Sequence, residues 1–408
     1  MLTRRFGLLA SAFAFAAGPV LAESKRAPAA GRAAMNAHKG KDAVEPTGSP
    51  ADTPLGPVDT IARWAFIQDF DTGATLLEKQ ADDEMPPSSM TKLMTLYLVY
   101  DQLKQGKLKL DDTLPVSEKA WRMQGSKMFV AIGSQVRVED LIRGVVVQSG
   151  NDAAIVLAEA IGGSEEQFVE KMNAKAKELG MMHTFYKTCT GWPDPEQHMS
   201  SRDIATLAGH IIRDFPDYYH YDSEKTFRYN GIEQGNRNPL VQKGTADGLK
   251  TGHTEAGGYG LVASSKRNGR RVILVLNGLS SMHERASEGE RLMDWAFFNF
   301  EDVTLFSAGD TIDNVPVWLG TSRTVPLVAG RDVTVTMPRN WRQKAAIKVD
   351  YDSPVSAPVV KGASLGRLTV TGDGVPNLDV PLMAGADVPR LGLPGRAMAV
   401  LSKYMTGT

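Results

Sequence analysis

The sequence predicts an α+β domain followed by a small all-β domain, and three observations support this. Two apolar runs around a Gly turn near residue 73 predict an opening hairpin, several amphipathic helices follow, and strands return after Asp247. After Glu301 helical spacing disappears until the tail, and short β-rich runs alternate with Gly, Asp and Pro turns. With 408 residues, two domains plus tails are a better expectation than one compact domain.

Residues 1–22 have the pattern of a signal peptide. Arg4 and Arg5 give a positive start, an apolar run follows at 8–17, and small residues at 20–22 offer a cleavage site. The apolar run is too short to span a bilayer. The chain is therefore expected to be exported, and the arginine pair leaves open whether the general or the twin-arginine route is used.

Residues 23–56 are predicted to be a disordered linker. They consist largely of Ala, Gly, Lys, Pro and Ser, with almost no large apolar side chains. Such a segment buries too little surface to offset the entropy of ordering its backbone. Order is expected to begin near Val58.

The predicted first domain spans residues 57–300. Its opening hairpin has strands at 63–70 and 74–78, and Pro86-Pro87-Ser88 then opens a helix that reaches about Leu103. Four further amphipathic helices are predicted at 138–147, 152–161, 165–179 and 202–213. Strands at 259–265 and 271–277 flank an Asn-Gly turn, and a helix at 284–300 closes the domain.

The predicted second domain spans residues 301–390 and is all β. Runs such as 333–336, 346–349 and 367–370 are rich in Val, Ile and Thr and are separated by turn residues. In the tail, residues 391–408, the segment 394–405 has a modest apolar face and is long enough for three helical turns.

Charge and cysteine usage exclude several classes of protein. The formal net charge is −1, so nothing indicates a global electrostatic attraction to nucleic acid. The seven histidines show no metal-ligand spacing, and neither a metal nor a cofactor is expected. The single cysteine, Cys189, allows no intramolecular disulfide, and a small residue in a turn is a better interpretation than a nucleophile.

The first motif with chemical content is Ser89-Met90-Thr91-Lys92. At a helix start, a serine and a lysine three residues later lie on one face, one turn apart. An amine whose pKa is lowered by burial or a neighbouring cation takes the proton of a serine hydroxyl and makes it a nucleophile. Taken alone, the string is common, and a capping serine with a surface lysine is by far the better explanation.

Two weaker motifs follow. Ser149-Gly150-Asn151 lies between two predicted helices, where the serine is able to relay a proton and the asparagine to hold a substrate carbonyl. Lys250-Thr251-Gly252 enters a strand after Asp247, where a lysine and a hydroxyl suit a carboxylate. The glycine is expected to leave room for an extended peptide along that edge.

Together the three motifs occur in a specific order, on a helix start, an interhelical turn and a strand. This set is typical of class A β-lactamases and penicillin-binding proteins. The chain resembles the low-molecular-mass penicillin-binding proteins, the serine-type D-alanyl-D-alanine carboxypeptidases (peptidase family S11), over roughly residues 57–370. The resemblance implies a β-lactamase/transpeptidase-like domain, with an antiparallel sheet and helices, followed by the all-β domain.

The resemblance also implies a role for each motif. Ser89 would be the acylated nucleophile and Lys92 its general base, while Ser149 relays protons under the influence of Lys250. Asn151 would position the substrate. The terminal carboxylate would be held by a set of three side chains, Lys250, Thr251 and Arg237. The backbone N–H groups of Ser89 and His253 would form the oxyanion hole, and His253 is the histidine expected in the cleft.

The implied substrate is a peptidoglycan stem peptide, and β-lactam antibiotics are the implied inhibitors. The implied location is the periplasm, with the C-terminal tail in peripheral contact with the outer face of the inner membrane. One departure from the family is Thr190, which stands where some relatives have a histidine before Gly191. This difference is expected to affect deacylation or substrate preference rather than acylation.

Three alternatives stay open at this point. A β-lactamase would need a glutamate for deacylation, and no convincing Glu-x-x-x-Asn element lies between the second and third motifs. A D,D-endopeptidase is closer in chemistry, although those relatives usually lack the all-β domain. A non-catalytic peptidoglycan-binding protein would not need the complete set of Ser, Lys, Ser, Asn, Lys and Thr.

Overall fold

The structure is a computed structural model, and it describes residues 49–340, 345–372 and 378–406. The predicted signal peptide lies outside the described residues, as does most of the predicted linker. No helix within the described part of the chain is long and apolar enough to cross a bilayer.

A five-stranded antiparallel sheet forms the centre of the first region. Its strands, in chain order, are β1 (Trp64–Asp69), β2 (Thr75–Lys79), β7 (Gly248–Thr254), β8 (Gly258–Arg267) and β9 (Arg270–Leu279). Their order across the sheet is β2-β1-β9-β8-β7. The opening hairpin therefore joins the late strands in one sheet, and β7 lies at an edge, where β8 is its one pairing partner among the described residues.

Nine helices accompany this sheet in the described residues. They are α1 (Lys92–Lys104), α2 (Glu118–Arg122), α3 (Val138–Val146), α4 (Asn151–Gly162), α5 (Glu165–Glu178), α6 (Ser201–Asp214), α7 (Pro216–Tyr219), α8 (Pro239–Lys243) and α9 (Met282–Asn299). The five long helices before the late strands match the predicted segments closely. Helix α9 ends at Asn299 because Phe300 already begins the next strand.

Alternation along the strands places a hydrophobic core on each face of the sheet. On β9, Ile273 and Val275 pack with the helices α1 and α3–α6, whereas Leu274 and Leu276 pack with α9. Because both faces of the sheet are buried, the sequences of these strands are continuous apolar runs. The α+β prediction is confirmed for this region.

Two small hairpins in the middle of the chain were not predicted. Strand β3 (Thr113–Pro115) pairs with β4 (Gln135–Arg137), and β5 (Thr226–Tyr229) pairs with β6 (Ile232–Gly235). Most of their residues are exposed or half-buried. Because neither side buries a regular apolar stripe, the sequence carries no clear period-two signal there.

The second region is all β, as predicted, apart from its last helix. Its strands are β10 (Phe300–Phe306), β11 (Thr311–Trp318), β12 (Thr324–Ala329), β13 (Val333–Pro338), β14 (Ala345–Tyr351), β15 (Val355–Ser356), β16 (Ser364–Gly372) and β17 (Leu378–Ala384). β10 pairs with β13, and the other six form one sheet. Helix α10 (Leu393–Thr406) follows in the predicted tail.

Order begins earlier than predicted. Ala51 pairs with Val58, Asp52 pairs with Glu78, and Ala51 is fully buried. The expectation that order begins near Val58 is wrong for residues 51 and 52. The composition of this segment did not reveal the pairing. The contacts use backbone groups and the small side chain of Ala51, and one partner, Glu78, lies on the distant strand β2.

Candidate active site

The nucleophile candidate lies in a tight turn that leads into α1. Residues Ser88–Thr91 form a 3₁₀ turn, in which positions three apart are nearly eclipsed. Lys92 Nζ lies 3.0 Å from Ser89 Oγ. Ser89 is half-buried, so its hydroxyl faces the amine on one side and remains accessible to a substrate. The structure therefore brings together the pair that the sequence predicted.

Lys92 is buried completely, and this changes its acidity. Burial is the main cause that lowers the pKa of Lys92 to about 7; Arg237 acts in the same direction, and Cys189 and Asp152 act in the opposite one. Near neutral pH a large fraction of this amine is therefore uncharged. An uncharged amine 3.0 Å from a hydroxyl is able to accept its proton.

A backbone carbonyl holds the lysine in place from the opposite side. Lys92 Nζ donates a hydrogen bond of 2.5 Å to the carbonyl oxygen of Thr190. The contact uses the main chain, so the threonine side chain that replaces the relatives' histidine leaves it unaffected. The sequence did not reveal this contact, because the partners are 98 positions apart.

Gly191 allows the loop after Thr190 to approach the nucleophile turn. Its φ is +78°, and a Cβ atom at this position would lie 1.8 Å from the carbonyl oxygen of Ser88. Only glycine fits both the conformation and the distance. This residue therefore fixes the spacing between the loop and the turn that carries Ser89.

The second motif and the third meet in the structure. Lys250 Nζ donates a hydrogen bond of 2.8 Å to Ser149 Oγ. Both side chains are buried, and Ser149 has a φ of +57°, which is unusual for a residue with a side chain. Burial lowers the pKa of Lys250 well below its usual value, and the neighbouring cations Lys92 and Arg237 lower it further.

Asn151 is fixed by the loop that precedes α3. Its Nδ2 donates to the carbonyl oxygen of Gln124 at 2.7 Å, and its backbone N–H donates to that of Ser126 at 2.7 Å. The next residue, Asp152, accepts hydrogen bonds from the backbone N–H groups of residues 128, 129, 130 and 153. Sequence analysis missed this role of Asp152, since an acid in the first turn of a helix is ordinary.

Gly252 has a packing role that was not predicted. A Cβ atom at this position would lie 3.0 Å from Ser88 Cβ and 3.1 Å from the carbonyl oxygen of Pro87. The space that glycine leaves is therefore occupied by the nucleophile turn. The role of Gly252 toward a peptide along the edge of β7 stays a prediction.

The other predicted binding residues surround this edge. Thr251 is buried on β7, and the exposed ring of His253 packs on Tyr259 with 3.9 Å between ring centroids. Arg237 Nη1 donates a hydrogen bond to Ser126 Oγ. The carbonyl oxygen of Ser126 accepts the hydrogen bond from the backbone N–H of Asn151. Arg237 is thereby tied to the loop of the second motif. Their roles toward a substrate stay predictions.

Cys189 is no candidate for a nucleophile. It is fully buried, and its Sγ lies 3.3 Å from Glu165 Oε1. Burial and this carboxylate raise the pKa of the thiol, so the thiolate is scarce at neutral pH.

Within the described residues, one group of acids lies close enough together to share a cation, namely Asp69, Asp71 and Asp302. Arg270 Nε lies 2.8 Å from Asp69 and 3.3 Å from Asp302, so one positive charge already offsets part of the charge of this group. None of these acids belongs to the three motifs.

Comparisons with known proteins agree with both regions. The sequence matches the family described as D-alanyl-D-alanine carboxypeptidase, peptidase S11, over residues 51–280. Residues 300–390 match the penicillin-binding protein 5 C-terminal domain. D-alanyl-D-alanine carboxypeptidase DacA of Haemophilus influenzae is 39% identical, with 83% of this chain and 88% of the relative covered. DacC of Escherichia coli is 37% identical, with 86% and 90% covered.

Solved structures give the same result. Penicillin binding protein 5 from Haemophilus influenzae superposes with a TM-score of 0.73 at 38% identity, covering 81% of this chain and 98% of that one. Penicillin-binding protein D2 from Listeria monocytogenes, in its ampicillin-bound form, has a TM-score of 0.53 at 28% identity, covering 58% and 97%. The same protein is also known in a cefotaxime-bound form.

Proposed function

The chain belongs to the D-alanyl-D-alanine carboxypeptidase family, and we propose that Ser89 and Lys92 carry out its reaction on peptidoglycan stem peptides. The observation that carries this assignment is the 3.0 Å distance between Lys92 Nζ and Ser89 Oγ. The pKa of Lys92, about 7, supports its role as the base at neutral pH.

In the first half-reaction, Ser89 Oγ attacks the carbonyl carbon of the penultimate D-alanine. Its proton passes to the neutral amine of Lys92 as the new C–O bond forms. The oxyanion that develops is stabilised by the backbone N–H groups of Ser89 and His253. The C–N bond to the terminal D-alanine then breaks, and the leaving amine takes up a proton.

Ser149 delivers that proton. Its hydroxyl accepts a hydrogen bond of 2.8 Å from Lys250, whose lowered pKa supports proton exchange along this path. Lys250 and Thr251, with Arg237, hold the carboxylate of the leaving D-alanine. The proton that Lys92 took from Ser89 replaces the one that Ser149 gave to the amine, so Lys92 is neutral again before the second half-reaction. Water then attacks the ester carbonyl and gives a proton to Lys92, and this proton passes to Oγ as the C–O bond to Ser89 breaks.

β-Lactam antibiotics are proposed to acylate the same serine. The ampicillin-bound and cefotaxime-bound forms of the Listeria monocytogenes relative support this. A penicillin places its strained amide carbonyl where the peptide carbonyl would lie, so the same base and oxyanion donors act on it.

The test uses a peptide ending in D-Ala-D-Ala, with released D-alanine as the measurement and Ser89→Ala as the control. Release by the unaltered protein and none by the variant is the expected result. A covalent penicillin adduct without release would favour a D,D-endopeptidase. Absence of both would contradict the assignment and favour a non-catalytic peptidoglycan-binding protein.

Export to the periplasm and peripheral membrane contact are further parts of this proposal. Helix α10 exposes a set of large apolar side chains, namely Leu393, Met398, Val400, Leu401, Tyr404 and Met405. Such a helix is suited to lie in the interface of a bilayer. Cosedimentation with anionic liposomes that disappears on deletion of residues 394–408 is expected. Failure of the intact chain to bind would overturn the membrane contact.

A further inference from the structure

The loop of residues 188–191, which holds Lys92, is bonded to a glutamate outside the three motifs. Glu165 is the first residue of α5, and its Oε1 accepts hydrogen bonds from the backbone N–H of Cys189 at 3.1 Å and from Cys189 Sγ at 3.3 Å. Cys189 directly precedes Thr190, whose carbonyl oxygen accepts the hydrogen bond from Lys92 Nζ. Two hydrogen bonds and two residues of backbone therefore connect the start of α5 to the amine of Lys92.

An ion pair holds the Glu165 side chain in this position. Its Oε2 lies 2.9 Å from Lys119 Nζ, and the side chain is 12% exposed. The adjacent Glu166 also lies 2.9 Å from Lys119 Nζ, but its side chain is 75% exposed. Lys119 thus takes one oxygen of Glu165 and leaves the other to accept from the loop. Of these two acids, Glu165 is the one that bonds to Cys189 in the described part of the chain.

The backbone of Cys189 is bonded on both of its polar groups. Its carbonyl oxygen accepts a hydrogen bond of 2.7 Å from Thr95 Oγ1, and Thr95 lies one turn after Lys92 on α1. The loop is therefore tied to α5 by its N–H and to α1 by its C=O. Cys189 is fully buried, and a buried backbone N–H without an acceptor is costly. The loop is expected to shift if Glu165 no longer reaches it.

We propose that Glu165 is a positioning residue for acylation, because it fixes the loop whose carbonyl oxygen holds Lys92. The amine acts as a base only at hydrogen-bond distance from Ser89 Oγ, and the Thr190 carbonyl holds it from the opposite side. Misplacement of such a group by about 1 Å is able to lower a rate by as much as 10²-fold. This inference rests on the proposed roles of Ser89 and Lys92.

The test is a pair of substitutions that separates the reach of this side chain from its charge. Glu165→Asp keeps the charge and suits the first turn of a helix, but it withdraws the carboxylate by about 1.5 Å, beyond hydrogen-bond distance of the loop. Glu165→Gln keeps the reach and an acceptor oxygen, and it removes the charge. The rate constant k2 of acylation at saturating penicillin should fall about tenfold in Glu165→Asp. In Glu165→Gln it should stay within about twofold of the unaltered protein.

Glu166→Asp is the matched control, because it shortens the adjacent acid on the same lysine, and it should keep k2. Stopped-flow measurements also separate positioning from a purely structural role. Loss of folded protein would lower the amplitude of acylation and leave k2 of the remaining protein unchanged. The dissociation constant Ks of the noncovalent penicillin complex should stay the same in every variant, because the residues proposed to hold the carboxylate are not altered.

An unchanged k2 in Glu165→Asp would overturn the inference and leave the proposed function standing, and so would an equal loss in Glu166→Asp. A loss of k2 in Glu165→Gln as large as in Glu165→Asp would also overturn it, because charge and not reach would then matter. Absence of both acylation and D-alanine release in the unaltered protein would overturn the proposed function, and this inference with it.

Discussion

The two regions of the chain bury different kinds of side chain. From Phe300 onward, Thr336 is the only polar side chain that is fully buried among the described residues. The first region buries many, including the three lysines Lys79, Lys92 and Lys250. Burying a charged or polar group costs free energy unless the group is paired. A protein therefore contains such groups where a structural contact or a chemical reaction needs them.

Within the first region, the kind of partner distinguishes buried polar side chains with a structural role from those with a chemical role. Buried Asp69 pairs with Arg270, and buried Asp152 accepts several hydrogen bonds from backbone N–H groups. Lys92 and Lys250 have hydroxyl and carbonyl partners but no ion pair among the described residues. An amine that is buried without a counter-charge has a lowered pKa, and this is what a catalytic base needs.

The largest effect is expected from Lys92→Met. Loss of the base should reduce penicillin acylation by roughly 10²- to 10⁴-fold. The free energy of unfolding should not decrease, because methionine fills similar space without the cost of burying an amine. Stopped-flow acylation and thermal unfolding measure the two quantities.

Lys79→Met is the matched control for that variant. Lys79 is also buried, but its Nζ donates 3.0 Å to the carbonyl oxygen of Thr60, away from the motifs. This variant should retain acylation. If both variants lost acylation equally, the distinction between structural and catalytic lysines would be wrong.

A pair of glycine substitutions tests how closely the loop must approach the nucleophile turn. Gly191→Ala places a Cβ 1.8 Å from the Ser88 carbonyl, whereas Gly180→Ala, at a similar φ of +75°, meets nothing within 4 Å. The displacement needed at Gly191 should reduce kcat/KM by about 10²-fold. Gly180→Ala should cost only about 1–2 kcal/mol of stability for its backbone conformation. Similar kcat/KM values for the two variants would contradict this account.

Leu368→Ala tests whether the apolar core of the all-β region contributes to stability without affecting acylation at Ser89. Leu368 is fully buried, and its truncation should destabilise the protein by about 2–5 kcal/mol. The folded fraction should retain its penicillin acylation rate. Leu393→Ala, at an exposed position on α10, should leave the unfolding transition unchanged. A loss of acylation in folded Leu368→Ala would show that the two regions are coupled.

The dependence of acylation on pH tests the role of Lys92 without any substitution. Lys92 accepts a proton only when neutral, and its pKa is about 7. The rate should therefore rise with pH and level off above this value, falling about tenfold for each pH unit below it. The penicillin acylation rate between about pH 5 and pH 9 measures this profile. A flat profile would exclude Lys92 as the base.

Sequence patterns predicted the elements that bury regular apolar stripes. The helices α3 to α6 and the hairpin of β8 and β9 lie close to their predicted positions, because a 3.6- or two-residue period is a local property. The hairpins of β3 with β4 and β5 with β6 were missed, because their residues are mostly exposed. Pairing of Ala51 with Val58 was missed because a short bridge leaves no pattern.

The sequence by itself determined the order of the regions and the three motifs, since each motif is a short string in a recognisable local context. Only the tertiary structure decided that Lys92 is buried without a counter-charge, that the Thr190 carbonyl holds it, and that Gly252 makes room for the nucleophile turn. Burial, desolvation and close approach depend on segments distant in sequence, and local spacing contains no information about them.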